Sequence, residues 1–97
     1  MKIILTEDAI QDLQEIYEFI AQDNAVAADR HREKLVGRWQ ALAAQPRMGR
    51  SRDDVAAGYR SIAEGDYVIF YQIVTEAELR IMRVLNGRRD IGKALSD

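Results

Sequence analysis

The hydrophobic positions of the chain begin with a short continuous run and then change to helical spacing. The run Ile3-Ile4-Leu5 predicts a short β-strand, and Thr6 follows at the position where a helix N-cap is expected. Apolar residues then recur at intervals of three and four, at Ala9, Ile10, Leu13, Ile16, Tyr17 and Ile20. The positions between them carry carboxylates, at Asp12, Glu15 and Glu18. This pattern predicts a first helix with one buried stripe and one solvent-facing side.

A second helix is predicted after Gln22-Asp23-Asn24, where helical spacing of apolar residues resumes at Ala28, Leu35, Trp39 and Leu42. It must end by Gln45, because Pro46 disfavours the helical conformation in the residue before it. Trp39 lies on the apolar stripe and is predicted to be a core residue. Two helices joined by so short a turn are expected to form an antiparallel hairpin.

The second half of the chain has the pattern of a surface loop followed by an antiparallel sheet. Residues 46–54 contain two helix breakers, several charges and no apolar period, which predicts a surface loop. Three segments of strand character follow, at 59–63, 67–74 and 79–85, separated by short polar turns. The middle segment is apolar on both faces. It is therefore expected to be a central strand, covered by the hairpin on one side and by a second element on the other.

The last predicted strand does not alternate cleanly between apolar and polar positions. Arg83 shares its parity with Leu79, Ile81 and Leu85. This predicts either a β-bulge that shifts the register or an arginine that faces a functional groove. Beyond this strand, residues 91–95 are predicted to form one helical turn or to fray.

These elements predict a single α+β domain over residues 1–97. Its order is a short N-terminal strand, a two-helix antiparallel hairpin, a three-stranded antiparallel meander packed on the hairpin, and a short C-terminal tail or helical turn. With 47% apolar and 31% charged residues, the chain has enough apolar material for one core and enough charge to remain in solution.

The composition narrows the chemistry that the chain can carry out. There are no cysteines, which excludes disulfides and thiolate zinc sites, and the single histidine, His31, cannot form a histidine metal cluster. The carboxylates of Asp8, Asp12 and Glu15 share one helix face, where a solvated surface is favoured over a cation site. Gly58, Gly65 and Gly87 lie at separate predicted turns and form no phosphate-binding loop. We therefore expect no catalytic residue, no metal and no cofactor.

Charge and hydropathy argue against two broad classes of partner. A net charge of -2 argues against direct sequence-specific binding of nucleic acid, because such binding needs many cationic side chains on one face. No segment approaches the ~18 uncharged apolar residues that mark a transmembrane helix. We expect no membrane contact and a cytoplasmic location.

Arginines are concentrated in the second half of the chain and are the main candidates for binding. Guanidinium groups suit the recognition of phosphate and carboxylate. Four of them lie on or just beyond predicted strands whose ends are expected to converge: Arg60, Arg83, Arg88 and Arg89. A binding role is favoured for these four. For Arg47, Arg50 and Arg52 in the predicted loop, binding and simple solvation remain equally open.

Five short segments occur in a characteristic order along nearly the whole chain. They are AIQDLQEIYEFI at 9–20, LAAQPRMGR at 42–50, GYRSI at 58–62, YVIFY at 67–71 and VLNGRRD at 84–90. In this order they resemble the ParE-type toxins of bacterial toxin-antitoxin modules, within the wider ParE/RelE superfamily. Members of the family commonly carry histidine where Asn86 stands.

The resemblance implies that the chain is the toxin of a type II toxin-antitoxin system and that it inhibits DNA gyrase by binding, without catalysis. The residues expected to contact the target are Arg60, Arg83, Asn86, Arg88, Arg89 and Asp90. The cognate antitoxin is expected to be a ribbon-helix-helix protein whose tail folds across the helix hairpin and a sheet edge, giving a hetero-oligomer. The residues expected to contact the antitoxin are Ile10, Leu13, Tyr17 and Ile20.

Two alternatives stay open within the same superfamily. RelE-like members are ribosome-dependent messenger RNA endonucleases and carry an arginine after the aromatic of the central strand, with a tyrosine or histidine near the C-terminus. Here Val68 follows Tyr67, and no tyrosine or histidine comes after Tyr71. The ParE branch is therefore favoured. The other alternative is an inactive member that only binds an antitoxin.

Overall fold

The computed structural model describes residues 1–88, which form two helices and five strands. In chain order these are β1 (Lys2–Leu5), α1 (Glu7–Ala21), α2 (Ala25–Ala44), β2 (Arg50–Ser51), β3 (Arg60–Glu64), β4 (Tyr67–Thr75) and β5 (Glu78–Asn86). The predicted α+β class is confirmed. The predicted turn over residues 91–95 lies outside the described residues. Within residues 1–88, neither helix is long and apolar enough to cross a membrane.

Both helices begin with a side-chain cap. The Thr6 hydroxyl accepts a hydrogen bond from the Ala9 amide at 3.1 Å, as the sequence predicts, and donates one to the Met82 carbonyl at 2.9 Å. The Asn24 side chain accepts a hydrogen bond from the Ala27 amide at 3.0 Å. These caps satisfy amides that the first turn of a helix leaves free. The second bond of Thr6 also fixes the start of α1 to β5.

The strands form one sheet in the order β1-β5-β4-β3-β2. β1 runs parallel to β5, with Lys2 opposite Glu78, and the other neighbours are antiparallel. The prediction of a surface loop over residues 46–54 is wrong at β2, where Arg50 pairs with Ser61. Two residues are too few to leave a periodic signal, so the hydrophobic pattern does not reveal this strand.

A β-bulge interrupts the ladder between β4 and β5. Phe70 pairs with Arg83 and Tyr71 pairs with Ile81, so Met82 is the extra residue. The bulge lets Ile81 and a residue three positions later, Val84, enter the same core, which a regular strand would not allow. The first of the two interpretations of the uneven last strand is therefore confirmed.

The main core lies between the helix pair and one face of the sheet. Its buried members are Ala9, Ile16, Leu35, Trp39, Leu42, Ile62, Ile69, Tyr71, Leu79, Ile81 and Val84. Trp39 is a core residue, as predicted. The prediction that Asp12 faces solvent is wrong, because only 6% of this residue is exposed. Its carboxylate is turned towards β5, where it has partners that the helical period cannot reveal.

The opposite face of the sheet is covered by the segment between β2 and β3. Phe70 is fully buried there. The Arg52 guanidinium carbon lies 5.5 Å from the centre of the Phe70 ring, and the Tyr59 ring centre lies 6.3 Å from it. Arg52 is also paired with Asp54 at 3.2 Å. This segment is the second cover that an apolar central strand requires, and it gives Arg52 a packing role.

Candidate functional site

A groove of about 480 Å³ runs between α1 and the end of β5, and we refer to it as the α1–β5 groove. It is lined by Asp12, Glu15, Ile16, Phe19, Tyr67, Val84, Leu85, Asn86 and Arg88. Apolar and aromatic side chains dominate this lining, and charged groups belong to both walls. Such a mixture is typical of grooves that receive a side chain or a short segment of a partner protein.

Phe19 is the most exposed large hydrophobic residue of the groove, with 68% of its surface accessible. It follows the buried Ile16 by three positions, so the two are neighbours on the surface of α1. An accessible aromatic side chain beside a groove is a candidate anchor for a partner, because burying its ring would be favourable. Phe19 is not among the residues that the sequence pattern predicts to bind a partner. The available signal was an aromatic residue outside the predicted buried stripe.

The opposite wall of the groove is the end of β5, where two predicted target-binding residues lie. Asn86 pairs with Tyr67 across the ladder, and the Gly87 amide donates to the Asp66 carbonyl at 2.7 Å. The Asn86 side-chain oxygen then accepts a hydrogen bond from the Arg88 amide at 2.9 Å. These bonds fix the backbone at the groove. The predicted target-binding residues Arg89 and Asp90 lie outside the described residues.

Arg83 is bound within the molecule by Asp12. The Arg83 Nε and Nη2 atoms lie 2.7 and 2.9 Å from the two carboxylate oxygens of Asp12. The same carboxylate accepts a hydrogen bond from the Val84 amide at 3.0 Å. Hydrogen bonding to Asp12 raises the pKa of Arg83 above its ordinary value. A two-bonded ion pair in which the Asp12 side chain is only 7% exposed holds α1 against β5 at the bulge.

Arg60 lies away from the other predicted target-binding residues. It pairs with Tyr71 on β4, whereas Asn86 pairs with Tyr67, four residues away on the same strand. At a rise of ~3.3 Å per residue this separation is roughly 13 Å along the strand. The structure therefore does not bring Arg60 together with Asn86 and Arg88.

The Arg60 guanidinium holds the loop before β2. Its Nη2 atom donates to the Arg47 carbonyl at 3.1 Å and also to the Gly49 carbonyl. Arg60 lines a separate polar pocket of about 250 Å³ together with Arg47, Ser51, Asp53, Gly58, Tyr59 and Ile73. Among residues 1–88, no group of three or more carboxylate or histidine side chains is arranged to hold a metal ion.

The predicted antitoxin-binding residues do not form one continuous exposed stripe. Ile10 is 47% exposed, but Leu13 and Ile20 are partly buried against the core. The Tyr17 hydroxyl donates to the Asp29 carboxylate at 2.7 Å, and this hydrogen bond raises the pKa of Tyr17. Leu13 and Tyr17 line a small cavity of about 130 Å³ between the helices. The accessible apolar surface of α1 is therefore provided by Ile10, a member of the predicted set, and by Phe19, more than by the other three predicted residues.

A family model and individual known proteins match this sequence over most of its length. The family model described as the ParE toxin of the type II toxin-antitoxin system, parDE, matches residues 3–91. Toxin ParE1 of Mycobacterium tuberculosis is 30% identical over 95 residues, covering 97% of both chains. Toxin ParE1 of Caulobacter vibrioides is 36% identical over 94 residues, covering 91% of this chain and 95% of that toxin.

A solved structure shows the same fold. It is described as the chromosomal ParDE TA system from P. aeruginosa, and it matches with a TM-score of 0.73 at 20% identity, covering 89% of this chain and 95% of that one. The family model spans most of the chain, and the curated relatives are matched over nearly their full length. The chain therefore belongs to the ParE toxin family of type II toxin-antitoxin systems.

Proposed function

We propose that this toxin inhibits DNA gyrase in the cytoplasm by binding, and that a cognate antitoxin neutralises it by occupying the α1–β5 groove. The observation that carries the proposal is the position of Asn86 and Arg88 in the same groove as the exposed Phe19. The groove offers an aromatic anchor and a guanidinium on opposite walls, a combination enriched at the energetic centres of protein interfaces.

The target contact is assigned to the end of β5 and the residues after it. Arg88 and Arg89 supply cations there, and Asn86 and Asp90 supply polar groups. Arg60 and Arg83 were expected to join them, but their guanidinium groups bind the loop before β2 and the Asp12 carboxylate. We therefore assign them a supporting role for the contact surface. No catalytic step is required of any of these residues.

The antitoxin contact is assigned to the groove together with Ile10 at the exposed side of α1. A ribbon-helix-helix antitoxin with a tail that folds on binding would cover this surface, and a standard interface buries ~1,600 Å² in total. Phe19 is then the main anchor. Leu13 and Ile20 support this surface by packing against the core, and Tyr17 supports it through its hydrogen bond to Asp29.

The test is a supercoiling assay with purified gyrase and purified toxin. We expect the wild-type toxin to inhibit supercoiling and the double variant Arg88→Ala with Arg89→Ala to lose this inhibition. Arg30→Ala with Lys34→Ala is the matched control, because it removes the same charge from exposed positions on α2 that do not line the groove. Full inhibition by the Arg88 and Arg89 variant would refute the assignment.

A parallel assay of translation separates the two alternatives. Cleaved messenger RNA in a reconstituted translation reaction, with supercoiling unaffected, would identify a RelE-like endonuclease. Tight binding of the antitoxin with no effect on either reaction would identify an inactive antitoxin-binding module.

A further inference from the structure

We infer that Asp12 is a positioning residue for the target-binding end of β5, acting through Arg83 and the β-bulge. This inference rests on the proposed function for the surface that it positions. It gives Asp12 a role that its place between Ile10 and Leu13 in the sequence does not suggest, and it changes the role of Arg83 from a contact residue to a supporting one.

The Asp12 carboxylate satisfies three hydrogen-bond donors of β5. Asp12 accepts two hydrogen bonds from the Arg83 guanidinium and one from the Val84 amide, at 2.7, 2.9 and 3.0 Å. The Asp12 and Arg83 side chains are 7% and 22% exposed. A charge-assisted pair with this geometry and little solvent fixes the relative position of the two elements that carry it.

The ion pair of Asp12 and Arg83 lies directly beside the β-bulge of β5. Arg83 and Val84 directly follow Met82, the extra residue of the bulge. A bulge bends and twists the strand that contains it. The Asp12 carboxylate holds the two residues at which regular pairing resumes, so it sets the direction in which β5 continues.

Only a short stretch of paired strand separates the β-bulge from the α1–β5 groove. After Val84 the ladder continues through Leu85 opposite Val68 and Asn86 opposite Tyr67. It ends with the Gly87 amide bound to Asp66 at 2.7 Å. No break in register separates Val84 from Asn86. The orientation imposed by Asp12 is therefore transmitted along a paired strand to the predicted contact residues.

Asp12 also lines the α1–β5 groove from the side of α1. Phe19 lies two turns further along the same helix, and Arg88 lies at the end of the strand that Asp12 holds. The pair thus sets the distance between the two walls. Loss of the pair would alter the geometry of the groove without removing any of the residues to which the target contact is assigned.

The experiment uses the full chain and variants that change the pair by small steps. Asp12→Asn keeps the size and the acceptor for Val84 but removes the charge, and Arg83→Lys keeps the charge but removes the two-bonded fork. Asp12→Leu combined with Arg83→Met replaces the pair by apolar side chains and keeps the measurement possible if a single variant does not fold.

Two readouts are measured on folded protein. The amide chemical shifts of Asn86, Gly87 and Arg88 report the strand end directly, and the supercoiling assay reports potency. We expect the Asp12 and Arg83 variants to move these three shifts and to lower potency by roughly tenfold or more, because small misplacements of a contact group have effects of that size.

Two controls separate positioning from stability. Arg80→Gln breaks a partly exposed pair with Glu78 on the same strand, and Ile62→Val weakens the core on β3. Neither is expected to move the shifts of residues 86–88. Unchanged shifts at these residues in folded Asp12 and Arg83 variants would overturn the inference. If the wild-type toxin fails to inhibit gyrase, the proposed target is wrong, while the shifts still decide whether Asp12 positions the strand end.

Discussion

The Tyr71 hydroxyl lies 2.9 Å from the Gly49 amide nitrogen and accepts its hydrogen bond. The same hydroxyl donates to the Pro46 carbonyl at 2.7 Å. Tyr71 is fully buried on β4, so one side chain of the central strand fixes both ends of the loop that leads from α2 to β2. The segment LAAQPRMGR, which carries part of the family resemblance, has its turn held in this way.

Replacing Tyr71 by phenylalanine removes both hydrogen bonds and leaves the buried Gly49 amide without an acceptor. We expect the free energy of unfolding to fall by about 2 kcal/mol, the usual cost of an unsatisfied buried polar group. Urea denaturation measures this change. Tyr67→Phe is the control, because the Tyr67 hydroxyl makes no hydrogen bond to another residue of 1–88. Equal losses in the two variants would contradict the role assigned to Tyr71.

Gly49 has no room for a side chain. A Cβ atom at this position would lie 2.5 Å from the Tyr71 hydroxyl oxygen and 2.7 Å from the Ser61 carbonyl oxygen. We expect Gly49→Ala to lower the free energy of unfolding by about 2 kcal/mol, the usual cost of overpacking. Gly37→Ala is the matched control, because a Cβ atom there meets nothing within 4 Å. Since Gly37 lies inside α2, we expect Gly37→Ala to raise the free energy of unfolding by about 1 kcal/mol. Thermal or urea denaturation measures both changes.

The helices were largely predictable, because their signals are local. Thr6 and Pro46 mark a start and an end by the conformations that they themselves favour. The order of the five strands in the sheet was harder to predict from the sequence. The parallel pairing of β1 with β5 joins residues at opposite ends of the chain, and hydrophobic period describes which residues share a face but not which strand lies beside which.

The candidate site was predictable in part. The position of Arg88 just beyond a predicted strand indicates a binding role, the family resemblance adds Asn86, and both residues line the groove. Asp12 was assigned to a solvent-facing side because its position in the helical period matches Glu15. Its true environment depends on Arg83, 71 residues away, so no local pattern contains it. Phe19 was missed because exposure of an aromatic is decided by what packs around it.

Phe19 provides a direct test of the antitoxin surface. We expect Phe19→Asp to change the free energy of unfolding by no more than about 0.5 kcal/mol, because 68% of the side chain is already exposed. Antitoxin affinity is expected to fall by about 2 kcal/mol, or roughly thirtyfold in Kd, as for an interface anchor. Calorimetric titration measures this loss. Val26→Asp, 59% exposed on α2 and outside the groove lining, should retain full affinity.

His31 makes the stability dependent on pH near neutrality. Burial lowers the pKa of His31 below its usual 6.5, while the charge of Glu64 acts in the opposite direction and that of Lys34 adds to the lowering. The His31 Nε2 atom is buried without a hydrogen-bond partner among residues 1–88. The centre of the His31 ring lies 4.9 Å from the centre of the Tyr67 ring. As pH falls through 6.5, the unfolded chain gains a proton that the folded chain does not, so the folded state loses stability.

We therefore expect the melting temperature to be lower at about pH 5.5 than at about pH 7.5, the range in which histidine titrates. His31→Gln should show a smaller difference between the two conditions, since His31 is the only histidine in the sequence. An identical pH dependence in the variant would show that other groups are responsible.

The parallel pairing of β1 with β5 makes completion of the sheet depend on a strand that is synthesised long after β1. The Thr6 hydroxyl meets the Met82 carbonyl across 76 residues, and the Asp12 carboxylate waits for Arg83 across 71. Until β5 leaves the ribosome, β1 has no neighbour in the sheet and the carboxylate has no cation. Closing so long a loop slows folding relative to local helix formation. The α1–β5 groove therefore lacks its β5 wall until that strand has been synthesised, and it forms only when two segments that lie far apart along the chain have met.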